Sequence, residues 1–401
     1  MLFAAEWKRL FCRVSTWIVA LIMLAAGAAL PIVCTLGTSA PVIREDGTMA
    51  LAHGVAAVHE RNRILVDMQG TPVLPDKLKT DLRTYQALLT KYNQDIPDEV
   101  YCREVYPIEP YLSLMTRVYG CNMAGLASVS PDRVDDFYSE RAQVQQKYLA
   151  TQLGEGTHAY DQAMAAAKKV SVPFVFQADP TLLNCLSNVS LLVLILLLLD
   201  CILGARAFAG DYQDHSVTVF RASRYGKEKL ARARVLAFNA FTLGMYGVSV
   251  LAYTAGCLYV VGPAGFRSPI QLTNMLAVWN LTCGQVYLLS VLAGGLAVLA
   301  VTSFCLWISA GLNAPLIVLS ACLAMFALKM GVGALPGKLS IFIGTLFPSS
   351  GAEMYGELFR VNFFTAGGIA IWTPVLITAA GWIMVILFPC LAVRAYCRHE
   401  Q

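Results

Sequence analysis

LLNCLSNVSLLVLILLLLDCIL, residues 182–203, runs directly into the polar stretch GARAFAGDYQDHSVTVFRASRYGKEKLARARV, residues 204–235. The hydrocarbon core of a bilayer is about 30 Å thick, and about 20 apolar residues in a helix cross it. The first stretch therefore predicts a membrane-spanning helix. The second stretch carries seven basic residues, and short loops rich in Lys and Arg stay on the cytoplasmic side. It is therefore predicted to be a cytoplasmic segment that leads into the next span.

The same criterion predicts five further spans. Their bounds are Trp17–Leu36, Leu236–Val261, Cys283–Ile308, Ala314–Leu335 and Ile369–Val393. Of the 401 residues, 57% are apolar and 14% are charged, whereas about 25% are charged in soluble proteins. This composition excludes a disordered chain, a basic nucleic-acid-binding arm and most soluble enzymes. A cleaved signal peptide is the alternative for the first span, but its apolar run exceeds the usual length of about 7–15 residues.

The distribution of basic residues predicts the orientation. Three precede the first span, seven lie in residues 204–235, and Arg394 and Arg398 lie in the tail at residues 394–401. Six spans place these three segments on one side of the membrane. The loop between the third and fourth spans carries Arg267 alone. We therefore expect a multi-pass protein of the cell membrane whose N- and C-termini are cytoplasmic.

Residues 41–180 are polar enough to form a soluble domain between the first two spans, on the extracytoplasmic side. Helical spacing of apolar residues predicts helices over Asp76–Tyr92, Pro131–Gln152 and His158–Lys169. The expected fold class is therefore an all-α polytopic membrane protein, with six transmembrane helices and a mainly helical extracytoplasmic domain inserted between helices 1 and 2. The domain holds Cys102 and Cys121. An oxidising exterior favours a disulfide between them, and two isolated thiols are the alternative.

Motifs of catalysis are absent from the sequence. It has no GxxxxGK[ST] phosphate loop, no HExxH and no GxSxG, and its five histidines are scattered. The ten remaining cysteines lie in or beside spans, where cysteine behaves as a small apolar residue. We therefore predict no catalytic, cofactor-binding or metal-binding residues, and a chain that is not an enzyme.

The order of residues in the polar stretch carries a resemblance. Phe208 and Ala209 are followed by the acid Asp211, by Asp214-His215-Ser216 and by Arg224, with Arg234 further on. This stretch resembles the segment after span two in the membrane subunit of ABC-2 type transporters, whose pattern is roughly F-A-x-E-x-x-x-G-T with a later Arg. Asp replaces the usual Glu, and residues 214–216 stand where Gly-Thr is common. The resemblance covers the six spans and not the inserted domain.

The resemblance implies a division of the chain and a set of partners. It implies an amphipathic elbow helix at 1–16, span one at 17–36, span two at 182–203, a coupling segment at 204–235, and spans three to six within 236–393, with an outer re-entrant segment at about 336–368. It also implies that the chain docks on a separate cytosolic ABC ATPase, which binds the ATP. A second permease chain, identical or not, is the other expected protein partner. The chain is expected to contact membrane lipid and no nucleic acid. The expected activity is transport, by export. The expected ATPase contacts are Asp211, Tyr212, Ser216, Val217, Phe220, Arg221 and Arg224.

Some alternatives stay open at this stage. Asp211 is also placed to cap the next helix or to pair with Arg206. Asp200 and Lys329 are charges within predicted spans, and such charges usually face protein or water; Asp200 can pair with Arg206, and Lys329 can extend outward to the headgroups. A membrane receptor whose extracytoplasmic domain binds a peptide or protein is the main rival function. A secondary transporter and an intramembrane enzyme are weaker rivals, because neither inverted repeats nor catalytic motifs are seen.

Overall fold

The computed structural model describes residues 2–43, 49–223, 225–366 and 368–399, and these are 73% helical. The helices are α1 (Leu2–Phe11), α2 (Val14–Val33), α3 (Val55–Ile64), α4 (Pro75–Lys91), α5 (Asp98–Val100), α6 (Glu109–Tyr119), α7 (Phe137–Leu153), α8 (His158–Ala167), α9 (Asn184–Ser187), α10 (Val189–Ala205), α11 (Ala209–Gln213), α12 (Val217–Ala222), α13 (Glu228–Val261), α14 (Pro263–Arg267), α15 (Ile270–Thr273), α16 (Cys283–Gly311), α17 (Pro315–Ala334), α18 (Lys338–Thr345), α19 (Met354–Phe359) and α20 (Thr373–Arg398). Two antiparallel hairpins accompany them, β1 (Ser39–Ile43) with β2 (Met49–His53) and β3 (Phe363–Ala366) with β4 (Ile369–Trp372). The mostly helical fold agrees with the predicted all-α class, and the two short hairpins are an addition to it.

Six helical segments are long and apolar enough to cross a membrane, as the sequence predicts. They are Val14–Val33, Asn184–Gln213, Glu228–Val261, Cys283–Gly311, Pro315–Ala334 and Thr373–Arg398. At 1.5 Å per residue, the 34 residues of α13 measure about 51 Å, which exceeds a bilayer core of about 30 Å. The excess lies at the start of the helix, where Lys229 and Arg232 are exposed.

The helix α16 lies at the centre of the bundle. Two thirds of its most apolar window (67%) is buried inside the chain, against 22% for α17 and for α20. These two peripheral helices expose large apolar side chains such as Leu328, Ile383 and Ile386, which suits contact with lipid tails. Close approach of α2 to α13 requires a glycine, because a Cβ at Gly27 would overlap the backbone carbonyl of Ser249.

The inserted domain (residues 41–180) is mainly helical and has its own apolar core. The helices predicted from residues 76, 131 and 158 onward correspond to α4, to a 3-10 turn followed by α7, and to α8. The same core includes Leu272 and Met275 from the connection between α13 and α16. The domain and this connection therefore lie at one end of the bundle, which we call the domain end.

Cys102 and Cys121 are free thiols in the structure, so the predicted disulfide between them is not formed. Cys102 lies in a π-helical turn, Tyr101–Val105, and Cys121 follows α6. Both side chains are half-buried. Burial raises the pKa of the Cys102 thiol, with the charge of Asp98 adding to the effect. A raised pKa lowers the thiolate fraction and hence the reactivity of this thiol.

The segment between the fifth and sixth spans folds back into the bundle. It contains α18, the 3-10 turn Ser350–Glu353, α19 and the β3–β4 hairpin. Gly351 contacts α16 so closely that a Cβ would overlap the carbonyl oxygen of Ala293. Ala293 lies ten residues into α16, about 15 Å from its start. The segment thus contains two short helices, α18 and α19, and its re-entrant placement in a bilayer stays a prediction.

Candidate functional site

The coupling segment (residues 204–235) begins where α10 ends, at the end of the bundle opposite the inserted domain. Ser309, near the end of α16, fixes the turn with its hydroxyl oxygen. That oxygen accepts hydrogen bonds from the amides of Phe208 (3.1 Å) and Ala209 (3.0 Å) and donates one to the carbonyl of Ala205 (3.0 Å). Because all three groups are buried, this junction fixes the end of α10 and the start of α11 against α16.

Four charged side chains meet beneath this turn: Glu6 and Arg9 of α1, Asp211 of α11 and Arg234 of α13. We call them the ion cluster. Arg234 is fully buried and donates to both oxygens of Glu6 (3.0 and 3.1 Å) and to Oδ2 of Asp211 (2.7 Å). Arg9 donates to the same Asp211 oxygen at 3.1 Å and also to Oδ1. Two carboxylates and two guanidinium groups balance in charge, as a buried site requires.

Aromatic rings close the ion cluster from the side of the coupling segment. The Arg234 guanidinium lies 4.9 Å from the ring centre of Phe208 and 5.9 Å from that of Phe220. Arg9 lies 5.4 Å from the same Phe220 ring. The Ala207 carbonyl accepts a further hydrogen bond from Arg234 at 2.9 Å. The elbow helix, the coupling segment and the third span are thus joined at one buried point.

The C-terminal end of α20 packs on the other side of the coupling segment. Arg221 of α12 donates to the carbonyls of His399 (2.6 Å) and Tyr396. The His399 ring stacks on Tyr212 at 4.2 Å, and its Nε2 is 2.7 Å from Oδ1 of Asn313. Burial and the nearby charge of Arg221 lower the pKa of His399. These contacts connect α12 to the end of α20, and His399 connects α11 to the short loop between α16 and α17.

The structure places the predicted ATPase contacts at different depths. Asp211 (3% exposed), Tyr212 (6%) and Val217 (0%) are buried, so they position the segment and do not offer side chains to a partner. Asp211 pairs with Arg9 and Arg234, not with Arg206. Half-buried positions are Ser216, Phe220 and Arg221, while Arg224 lies outside the described residues.

The sequence analysis did not predict which residues of α12 are exposed. It consists of Thr218, Val219 and Ala222, and Val219 is 72% exposed. The signal that would have found it is the helical period. In a six-residue helix whose Val217 faces the core, the residues one and two places later point away from the core.

The two charges within predicted spans have different surroundings. Lys329 in α17 forms an ion pair within the chain. Its Nζ is 3.0 Å from Oε1 of Glu353 in the folded-back segment. Asp200 in α10 is 1% exposed, and neither carboxylate oxygen has a hydrogen-bond partner among the described residues. The predicted alternative of an Asp200–Arg206 pair is therefore not formed, and Arg206 is exposed.

A large apolar pocket of about 840 Å³, open to the surface of the bundle, lies between α13, α16, α19 and α20, and Leu292 and Trp382 in its lining are more than half exposed. Leu243, Leu292 and Trp382 are among its lining residues, and few polar atoms reach it. One that does belongs to Tyr246, whose hydroxyl donates to the carbonyl of Val291 at 2.5 Å. A cavity of this size and lining suits a hydrocarbon chain.

Polar side chains attach the inserted domain to the connection between α13 and α16. Arg117 donates to the carbonyls of Leu272 and Thr273, and Arg141 donates to that of Met275 at 3.0 Å. Burial lowers the pKa of Arg141 to about 10. Arg61 binds Asp179 just before α9; burial alone would lower the pKa of Arg61, but the Asp179 carboxylate raises it.

The fold and the site define a mostly helical protein with six helices that can cross a membrane. A comparison with protein-family models found no match, and a comparison with curated proteins found none either.

Proposed function

We propose that the chain is the permease subunit of an ABC-2 type transporter. It forms half of a translocation path and couples to a separate cytosolic ATPase that moves a substrate by export. The observation that carries the proposal is the ion cluster. It joins the coupling segment, between the second and third spans, to the elbow helix α1 through buried side chains. A segment that receives force from a partner must be rigidly connected to the elements that it moves.

The force would enter at α12. Its exposed residues Thr218 and Val219 form a small apolar and polar tip, which suits docking in a groove of another protein. Movement of α12 reaches α20 through Arg221, reaches α16 through Ser309 and reaches α1 through Asp211. Each connection is a hydrogen bond or ion pair that is at least partly buried, so a displacement of the tip is carried to two spans and to α1 together.

The proposed orientation follows from charge. The ion cluster and the basic start of α13 lie on the cytoplasmic side, and the inserted domain lies outside, with both termini cytoplasmic. Six spans make half of a minimal transporter, so a second permease chain completes the path. The cavity beside Trp382 favours a lipophilic or amphipathic cargo, because its lining offers an apolar chain contact on several sides.

Co-purification tests the proposal. The detergent-solubilised chain is isolated from its host, bound cytosolic ATPases are identified by mass spectrometry, and ATP hydrolysis is assayed. Val219→Glu changes an exposed tip residue, while Lys338→Glu changes an exposed residue of α18 at the far end of the bundle. We expect ATPase binding by the wild type and by Lys338→Glu, and its loss in Val219→Glu.

The result that would overturn the proposal is a folded wild-type chain that binds no ATPase. Equal binding by both variants would remove α12 from the coupling role. The inserted domain, as the ligand-binding part of a receptor, would then be the leading alternative.

A further inference from the structure

Three buried cysteines from three different helices converge at one point. They are Cys201 in α10, Cys305 in α16 and Cys322 in α17, each 0% exposed, and their Sγ atoms all lie within 4.8 Å of one another. Cys305 also donates a weak hydrogen bond to the carbonyl of Cys201 at 3.6 Å. No sequence spacing predicts this group, because the three residues lie more than a hundred positions apart from first to last.

We propose that these three thiols form a binding site for one Cu(I) ion. Soft thiolate ligands select soft metals, of which Cu(I) and Zn(II) are the common first-row examples. Zn(II) is almost always bound by four ligands in closed sites. The described residues supply three donors to this group and no fourth, which favours Cu(I), because three sulfur ligands complete its coordination.

The spacing of the sulfurs fits one ion. A first-row d¹⁰ ion binds thiolate sulfur at about 2.3 Å, so three sulfurs arranged around it are about 4 Å apart. The three Sγ atoms lie within 4.8 Å of one another in the structure. Small side-chain rotations would bring them to the separation of about 4 Å that one ion requires. Binding takes one Cu⁺ and three thiols to a neutral site with one thiolate and two thiols, and it releases one proton. No electron is transferred, and the neutral product suits a buried, apolar position.

The position of the site gives it a role. Cys201 and Cys305 each lie four residues, one helical turn, before Ala205 and Ser309, the residues that fix the start of the coupling segment. A metal that bridges α10, α16 and α17 would cross-link these helices beside that junction. The inference concerns the thiols and does not depend on the proposed transport function.

Cu(I) titration of the full-length chain tests the inference. The protein is purified reduced and without oxygen in detergent, and Cu(I) is delivered in competition with a colorimetric Cu(I) chelator. We expect Cys305→Ser and Cys322→Ala each to lose one equivalent of tightly bound Cu(I). Cys283→Ser is the matched control, since Cys283 is an equally buried cysteine of the same helix outside the group.

A separate pair of buried thiols could also bind Cu(I) and needs its own control variant. Cys185 and Cys257 have Sγ atoms 3.3 Å apart, and two thiols also bind Cu(I). We expect Cys185→Ser to keep the equivalent that Cys305→Ser loses, and X-ray absorption of that equivalent to show three sulfur neighbours. Thermal unfolding without metal establishes that each variant is folded.

Two results would overturn the inference. The first is a folded wild-type chain that binds no Cu(I) or prefers Zn(II) at these cysteines. The second is a Cys305→Ser variant that retains the stoichiometry and affinity of Cys283→Ser.

Discussion

The fully buried Arg234 guanidinium donates hydrogen bonds of 3.0 and 3.1 Å to the two oxygens of Glu6, which lies 228 positions earlier in the chain. This pair attaches the first helix to the third span. Arg234 also binds Asp211 in α11, so the pair is part of a neutral group of four charges. Its removal is expected to affect the whole coupling segment.

The buried pair should contribute more to stability than an exposed pair of the same kind. Glu6→Gln removes one of the two carboxylates that balance the charge of the buried Arg234. Breaking a buried ion pair costs about 3–5 kcal/mol. The control is Glu228→Gln, whose partner Arg232 is exposed; an exposed pair contributes about 0–1 kcal/mol. Thermal unfolding in detergent compares the two variants. Equal losses of stability would contradict the account of the ion cluster.

Substitution of Arg141 should loosen the attachment of the inserted domain to the connection between α13 and α16. Arg141→Met removes the hydrogen bond to the Met275 carbonyl, and a hydrogen bond from a charged donor contributes about 1.5–3 kcal/mol. Local opening of residues 272–279 should therefore become roughly ten- to hundredfold more frequent. Hydrogen exchange of the full chain measures this. Arg83→Met, at an exposed site of α4, should leave exchange there unchanged, and an equal response of both variants would refute the attachment.

The stability of the inserted domain should depend on Asp81. Burial raises the pKa of this carboxyl from 3.8, and Lys77 lowers it by a smaller amount. The folded chain therefore holds the proton more firmly than the unfolded chain. The free energy of unfolding should accordingly fall as the pH rises from 3.8 through the raised pKa, and stay lower above it.

Asp81→Asn tests this pH dependence. One oxygen of Asp81 has no hydrogen-bond partner among the described residues, so the variant should be more stable than the wild type at pH 7 and should show a flatter pH profile. Asp76→Asn is the control in the exposed first turn of the same helix, where a carboxylate is favourable by about 0.3–1 kcal/mol. A loss of stability at pH 7 in Asp81→Asn that matches Asp76→Asn would show that the burial of Asp81 carries no penalty.

The folded-back segment should tolerate no side chain at Gly351. Gly351→Ala places a methyl group on the Ala293 carbonyl oxygen, and forced overpacking costs about 1–3 kcal/mol. Gly356→Ala is the matched control, because a Cβ there meets no atom within 4 Å. Thermal unfolding should separate the two variants. If Gly351→Ala is as stable as Gly356→Ala, the close approach of this segment to α16 is wrong.

The sequence predicted the spans well because a long apolar run has few other structures available. The fifth span was predicted although it contains Lys329. The ion pair between Lys329 and Glu353 explains how this helix accommodates the charge. The β3–β4 hairpin was missed although Gly367-Gly368 stands between two short apolar runs, a usual hairpin signal. That signal was obscured by the apolar start of the sixth span.

Contacts between distant parts of the chain left no pattern in the sequence. The partners of Arg234 and the convergence of Cys201 with Cys305 depend on how the helices pack, and one-dimensional spacing does not encode that packing. The packing of Leu272 and Met275 in the core of the inserted domain is of the same kind. The sequence also did not indicate that Asp211 is buried and pairs with Arg9 and Arg234.

Site-specific photo-cross-linking from Val219 tests the central claim most directly. A photoreactive amino acid is placed at Val219, or at Leu339 of α18 as the control, in the full chain in its native membrane; both positions are exposed, at 72% and 68%. The account predicts that position 219 cross-links to a cytosolic ATPase subunit and that position 339 does not. Cross-linking of position 219 to lipid alone, or of both positions to the same proteins, would contradict the claim that α12 is the docking site of an ATPase.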